Sequence, residues 1–241
     1  RYAYIVDNGT ANAFEIWDIS NPSSPSRVSQ KTLSSSSRDI YVQGRYAYLV
    51  GQDTTNNFEI WDVSNPSAPS RVSLNTLNTN GNGIYVQGRY AYLADNGTTN
   101  AFEIWDVSNP STPTRVSSSA LNANGWDIYV QGRYAYIIDN ATTNAFEIWD
   151  VSNPSNPSRV SLSNLNAVGR GISVQGRYAY LADGGITNAF EIWDVSNPSN
   201  PTRVSQKTLN TNGSGIYVQG RYAYLADGGA ANAFEIWDLG G

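Results

Sequence analysis

The string "RYAY" begins at Arg1, Arg45, Arg89, Arg133, Arg177 and Arg221, always 44 residues apart. A fixed period of this size means that one supersecondary unit is written repeatedly and stacks on its neighbours to bury a shared core. A second string keeps the same phase. "FEIWDVSNPS" starts at Phe58, near-copies start at Phe14, Phe102, Phe146 and Phe190, and a shortened "FEIWDLGG" starts at Phe234. No composition shift or linker interrupts the series, so 1–241 reads as a single domain. Its repeat phases are 1–44, 45–88, 89–132, 133–176, 177–220 and a partial 221–241.

Inside each repeat the local grammar is β. "IYVQG" alternates and ends at Gly44, "RYAYLV" follows at once, and Gln43-Gly44 therefore reads as a tight hairpin turn. "GQDTTNN" is a polar loop, "FEIWDVS" an aromatic and β-branched run, "NPSAPS" a proline break, and "RVSLNTL" a further strand. Each repeat thus supplies four short strands, a ("IYVQG"), b ("RYAYL"), c ("FEIWDV") and d ("RVS"), with no helical stripe. In strand b, Tyr90 and Tyr92 oppose Ala91 and Leu93; in strand c, Phe102 and Ile104 oppose Glu103 and Trp105. A sheet apolar on both faces must be covered on both. Blades packed face to face satisfy this, and a four-stranded repeat of about 40–45 residues is the size of a β-propeller blade. Tight hairpins imply antiparallel strands, which excludes a solenoid of parallel rungs.

Strands b and c occur six times but a and d only five, giving 22. Six blades are preferred, the first lacking its inner strand and the last its outer one. The alternative is five closed blades plus a spare hairpin, with the strand near Arg27 completing the final set.

The pattern "GRYAYLAD…NAFEIWDVSNPSNPSRVS" resembles the LVIVD-repeat β-propellers, and the likeness spans essentially the whole chain. The Asp-x-Ser-Asn-Pro step is its most specific part. The resemblance implies the propeller fold and membership among secreted or surface proteins of microbes. "WD" at Trp61-Asp62 is also similar to the WD40 repeat, but those blades usually carry a histidine and this chain has none.

Composition removes whole classes of chemistry. With no Cys and no His, thiol catalysis, disulfides, Cys/His zinc sites and histidine-based acid–base catalysis are impossible. With no Met, the chain reads as a processed product or an excerpt, which fits export. No apolar run approaches the roughly 20 residues of a membrane helix. A net charge of −5, with lysines only at Lys31 and Lys207, makes nucleic acid and anionic membranes poor partners.

The remaining charges recur at fixed phases. Arg45 falls opposite Asp62 on strands b and c, which predicts a repeated cross-strand ion pair. Glu15 and Asp18 lie three apart on one strand and face opposite sides, unlike the paired carboxylates of a glycosidase. "DNGTTN" lacks the acidic density of a calcium loop. No catalytic residue, metal site or cofactor is therefore expected.

The repeats differ among themselves only in the b–c and d–a loops, which a four-stranded meander places on one face. The most diverse position, just before strand a and nearest the expected central channel, reads Arg38, Asn82, Trp126, Arg170 and Ser214. With Asp39 and Asp127 these form a candidate ligand rim suited to a sugar or a polar peptide. Asn8, Asn96, Asn140 and Asn212 begin Asn-x-Ser/Thr sequons and are candidate N-glycosylation sites.

The expectation is a non-catalytic extracellular or cell-surface scaffold that assembles through its unpaired edges into an oligomer or filament. Its partners would be other copies of itself or continuing repeats. The rival is a lectin-like module that binds glycans or peptides through the variable face.

Overall fold

The computed structural model describes every residue except 8–12, 98, 100, 186–188, 229–233 and 241. It divides into two compact units, Arg1–Ser118 and Ser119–Gly241, and each carries three antiparallel sheets. In the first unit these are β1 (Tyr2–Asp7), β2 (Ala13–Asp18) and β3 (Ser26–Thr32); β4 (Ser37–Gln43), β5 (Tyr46–Gly51), β6 (Phe58–Asp62) and β7 (Ser70–Asn75); and β8 (Gly81–Gln87), β9 (Tyr90–Asp95), β10 (Phe102–Asp106) and β11 (Thr114–Ser119). The second holds β12 (Gly125–Gln131), β13 (Tyr134–Asp139), β14 (Phe146–Asp150) and β15 (Ser158–Ser163); β16 (Val168–Gln175), β17 (Tyr178–Gly184), β18 (Ala189–Asp194) and β19 (Thr202–Thr208); and β20 (Gly213–Gln219), β21 (Tyr222–Asp227) and β22 (Phe234–Asp238).

These are six β-propeller blades, each a meander in the order a, b, c, d. Among the described residues the first blade holds strands b, c and d, and the sixth holds a, b and c. The five-blade alternative is excluded, because β3 pairs with β2 of its own blade, with Trp17 opposite Arg27. The a–b hairpins turn where expected. Gly44 and its four copies sit at φ of 61–64°, a region that costs a side-chain-bearing residue about 1–2 kcal/mol.

The two-faced pattern of strands b and c becomes a rule of blade stacking. Phe58 and Ile60 leave one face of their blade and meet Ile84, Leu93 and Trp105 on the facing side of the next. Within each unit the Phe of one blade touches the Trp of the following blade: Phe14–Trp61 at 5.7 Å, Phe58–Trp105 at 5.5 Å, Phe146–Trp193 at 5.5 Å and Phe190–Trp237 at 5.8 Å between ring centres. Such tilted or edge-on pairs add about 0.5–1.5 kcal/mol beyond area burial. Polar contacts follow the same direction. Gln43, Gln131 and Gln175 each donate Nε2–H to the turn-glycine carbonyl of the next blade, Gly88, Gly176 and Gly220, at 2.7–2.8 Å.

The predicted cross-strand ion pair is present in all six blades. Arg1 meets Asp18 at 2.8 Å, and the Arg45–Asp62, Arg89–Asp106, Arg133–Asp150, Arg177–Asp194 and Arg221–Asp238 pairs repeat it. The arginine hydrogen bond, aided by the Ser64 or Ser152 amide, holds Asp62 and Asp150 down near pH 2. These pairs trim exposed blade edges, where screening keeps such interactions weak.

Candidate functional site

The most variable position of the repeat does not precede strand a, as the sequence suggested, but lies within it. The a–b register shifts between Ser37 and Asp39, and again between Gly81 and Gly83, Gly125 and Asp127, Gly169 and Gly171, and Gly213 and Gly215. Arg38, Asn82, Trp126, Arg170 and Ser214 are therefore β-bulge residues. A bulge leaves its extra residue out of the ladder and re-aims the side chain. This position escapes the strict alternation around it, which is why it varies.

The candidate rim is tied together within each unit. In the first, Gln52 links two members: Arg38 donates Nη2–H to its Oε1 at 2.9 Å, and its Nε2–H is donated to Asn82 Oδ1 at 2.9 Å. In the second, the Arg170 guanidinium lies 4.0 Å from the centre of the Trp126 ring, and Ser214 Oγ donates to the Ala226 carbonyl at 2.8 Å. Asp39 and Asp127 are clamps between blades. Asp39 accepts the Ile40 and Ile84 amides at 2.8 Å each, and Asp127 accepts those of Ile128 and Ile172 at 2.8 and 2.9 Å. Burial raises Asp39 to about 6 against the pull of those two amides.

The b–c and d–a loops meet at one end of each blade, as expected. Gln52 N–H donates to Ser36 O at 2.9 Å, Asn96 N–H to Asn80 O at 2.6 Å, Asn140 N–H to Asn124 O at 2.8 Å and Gly228 N–H to Asn212 O at 2.7 Å. Asn96, Asn140 and Asn212 are exposed there, although Asn212 Oδ1 accepts the Gly185 amide at 2.9 Å. Asn8 lies outside the described residues.

A constellation the sequence reading missed sits beneath these loops. Asp95, Asp139 and Asp183 are fully buried, and Asp227 nearly so. Each carboxyl lies against a glutamate two positions along the same face, namely Glu103, Glu147, Glu191 and Glu235. The glutamates have their donors. Glu103 accepts the Trp105 indole N–H at 2.8 Å, the Arg115 guanidinium at 3.3 Å and the Asn78 amide at 2.6 Å. The aspartates have few: Asp95 has no donor beyond its carboxyl contact with Glu103, Asp139 receives the Ala123 amide at 3.1 Å, and the Ala167 amide pulls Asp183 down. Two carboxyl groups in contact must share a proton. Burial first, then the negative glutamate, pushes Asp139 up to about 9 and Asp183 to about 8, and raises Asp95 well above the usual range. Among the described residues no three acidic groups gather as a metal ion would need. The pairs recur from blade to blade as structural carboxylic acids.

The two terminal blades show what the others hide. Phe58, Phe102 and Phe146 are wholly buried, whereas Phe234 is 67% exposed; Ile60 and Ile104 are buried, whereas Ile236 is 58% exposed. On the first blade the opposite face is open. Ile5 is 45% and Ile19 41% exposed, where the equivalent Leu49 and Val63 are 1% and 3%. Beside the open edge of β1 lies a cavity of about 460 Å³ lined by Ile5, Val6, Asp7, Glu15, Ser37 and Arg38.

Comparisons with known proteins agree with this architecture. No curated protein matches the chain in sequence. A candidate 6-phosphogluconolactonase from Bacteroides uniformis ATCC 8492 superposes with a TM-score of 0.85 at 10% identity, over 98% of this chain and 77% of its own. A functionally unknown protein from Desulfotomaculum acetoxidans DSM 771 gives 0.79 at 12%, over 99% and 79%. The computationally designed Ika8 protein gives 0.71 at 8%, over 99% and 70%. At such identities the likeness speaks to fold alone. The LVIVD repeat itself matches residues 1–31, 35–75, 80–120, 123–163, 169–207 and 212–232. With six matches covering most of its length, and a blade built on each, the chain belongs to the LVIVD repeat family.

Proposed function

We propose that this protein is a non-catalytic extracellular or cell-surface scaffold that assembles head to tail, the sixth blade of one copy packing on the first blade of the next. The observation that carries the reading is the complementarity of the two open faces. Blade stacking within each unit sets Phe and Ile of one blade against Leu, Trp and Val of the next. The sixth blade exposes Phe234 and Ile236, and the first exposes Ile5 and Ile19 on its other face. Exposed contiguous apolar faces of this kind mark association surfaces, and a contact between two different faces propagates into rings or filaments.

The candidate rim supports the scaffold over the lectin. Asp39, Asp127, Asn82 and Ser214 spend hydrogen bonds on the fold itself, and the Trp126 face that would stack on a sugar carries Arg170. The sequons Asn96 and Asn140, exposed on one end of the blades, are consistent with an exported, glycosylated surface.

Light scattering across a concentration series tests the assembly. The parent chain is expected to exceed its monomer mass of 26.2 kDa, and Phe234→Asp with Ile236→Asp to return to it. A parent that stays monomeric at every concentration overturns the proposal. Glycan-array binding abolished by Trp126→Ala would favour the lectin.

A further inference from the structure

We propose that Asn96, at the Asn96-Gly97 step just past the end of β9, is a site of spontaneous deamidation, where water converts the side-chain amide to a carboxylate. The chemistry needs only these two residues and water. The Gly97 backbone nitrogen attacks Asn96 Cγ and a C–N bond forms. The Gly97 proton passes to the departing amide nitrogen, and ammonia leaves behind a cyclic imide. Water then adds across one of the two imide C–N bonds. Cleavage at Cγ yields an aspartyl residue, and cleavage at the main-chain carbonyl yields an isoaspartyl residue whose backbone runs through Cγ. Asparagine is one of the thermolabile side chains of proteins. A following glycine favours the attack, since no Cβ shields its nitrogen and its backbone turns freely.

Composition cannot rank the candidates, but the fold does. Asn80-Gly81, Asn82-Gly83, Asn96-Gly97, Asn124-Gly125 and Asn212-Gly213 are the same dipeptide; Asn8-Gly9 lies outside the described residues. All but Asn96-Gly97 place the glycine in a strand a, where Gly81, Gly83, Gly125 and Gly213 lie opposite Asp95, Ala94, Asp139 and Asp227. At three of these steps the asparagine carbonyl is pinned, and it shares a rigid peptide plane with the attacking nitrogen. Asn80 O accepts the Asn96 amide at 2.6 Å, Asn124 O that of Asn140 at 2.8 Å and Asn212 O that of Gly228 at 2.7 Å. At the remaining one Asn82 is buried, and its Oδ1 accepts Gln52 Nε2–H at 2.9 Å. Packing closes two of the same sites. A Cβ on Gly81 would lie 2.7 Å from Val50 Cβ, and one on Gly213 2.9 Å from Leu209 Cδ1, so neither backbone has room to swing towards its asparagine.

Asn96-Gly97 stands apart. β9 ends at Asp95, Asn96 is exposed and Gly97 half-buried, and among the described residues no hydrogen bond restrains the Asn96 side chain. Gly97 N–H donates to the Asp95 carbonyl at 2.9 Å across a three-residue turn, a loop contact of the kind that opens at little cost. The side chain crowding Gly97 is that of Thr79, whose Cγ2 would lie 2.9 Å from an added Cβ, and Thr79 belongs to a loop, not a strand. Conversion removes the Asn96-Gly97-Thr98 sequon, so the position can carry an N-linked sugar or a carboxylate but not both. It also sets a new negative charge beside Asp95, which is buried against Glu103. Like charges disfavour one another, so conversion tightens the hold of that pair on its proton.

Peptide mapping by mass spectrometry reads these steps together in the full chain, produced without glycosylation and aged in heavy-oxygen water at mildly alkaline pH. Uptake of heavy oxygen at Asn96 is expected to outpace that at Asn80, Asn82, Asn124 and Asn212 by about 10-fold or more, since those steps must first open a strand ladder. In urea the ranking should vanish and the rates converge. Asn96→Gln should remove the early acidic species seen on anion exchange. An isoaspartyl methyltransferase should label the aged parent at this position and leave the variant unlabelled there. Equal rates at all these steps in the folded protein, a lead for Asn96 that persists in urea, or no heavy oxygen at Asn96 would each overturn the proposal.

Discussion

Replacing Asp139 by Asn asks directly whether the buried acid pairs hold a proton. Asp139 is fully buried against Glu147, and its folded value is pushed up to about 9, whereas an unfolded aspartate titrates near ~3.9. Folding therefore takes up a proton between these limits. The stability linked to that proton is fully present below ~pH 4 and falls as pH rises towards 9. Each such proton contributes a slope of about 1.4 kcal/mol per pH unit. From pH 6 to 8 the parent should lose about 2.5 kcal/mol more than Asp139→Asn, whose amide cannot titrate. Asp183 and Asp95 are also raised by burial, but they act in both proteins and cancel from the difference. The strongly lowered Asp62 and Asp150, near 2, lie outside the window. Urea unfolding followed by tryptophan fluorescence at pH 6, 7 and 8 gives the comparison, since Trp149 donates its indole N–H to Glu147 at 2.8 Å. Parallel stability–pH curves for the two proteins would show that the pair carries no proton and refute the reasoning.

Phe102→Ala should cost about 3–5 kcal/mol, the usual loss for a buried aromatic, while Phe234→Ala, at 67% exposure, should cost less than about 1 kcal/mol; similar losses in chemical denaturation would mean the faces are misassigned. Gly171→Ala brings a Cβ to 2.9 Å from Gly215 Cα and 3.0 Å from the Ile216 amide, so it should destabilise by roughly 1–3 kcal/mol. Gly215→Ala meets nothing within 4 Å and should leave the denaturation midpoint nearly unchanged.

The fold was legible because the repeat wrote each local rule six times. Hairpin glycines, two-faced strands and the Arg45–Asp62 register all follow from alternation and turn chemistry. The bulge was not legible. One extra residue in strand a is indistinguishable by composition from the end of a loop, so Arg38 and its copies were placed one element too early. The acid pairs left a signal that periodicity alone could have found. Leu93 pairs with Glu103, Asp95 lies two residues beyond Leu93, and both carboxyls therefore share a face. What the sequence could not show is how little water reaches that face, and dryness is what turns two ordinary carboxylates into a proton-sharing pair.

The directional pairing of Phe with the Trp of the following blade has a consequence for synthesis. A ribosome delivers the Phe-bearing face first and its cover one repeat later, and domains form as their residues emerge. Within each unit, every newly made blade passes through a stage in which its aromatic face is turned to water, as Phe234 of the sixth blade is. The inter-blade glutamine bonds reach only 45 residues along the chain, so that interval of exposure is short and the same at each step. The nascent chain is thus asked to protect one small surface at a time.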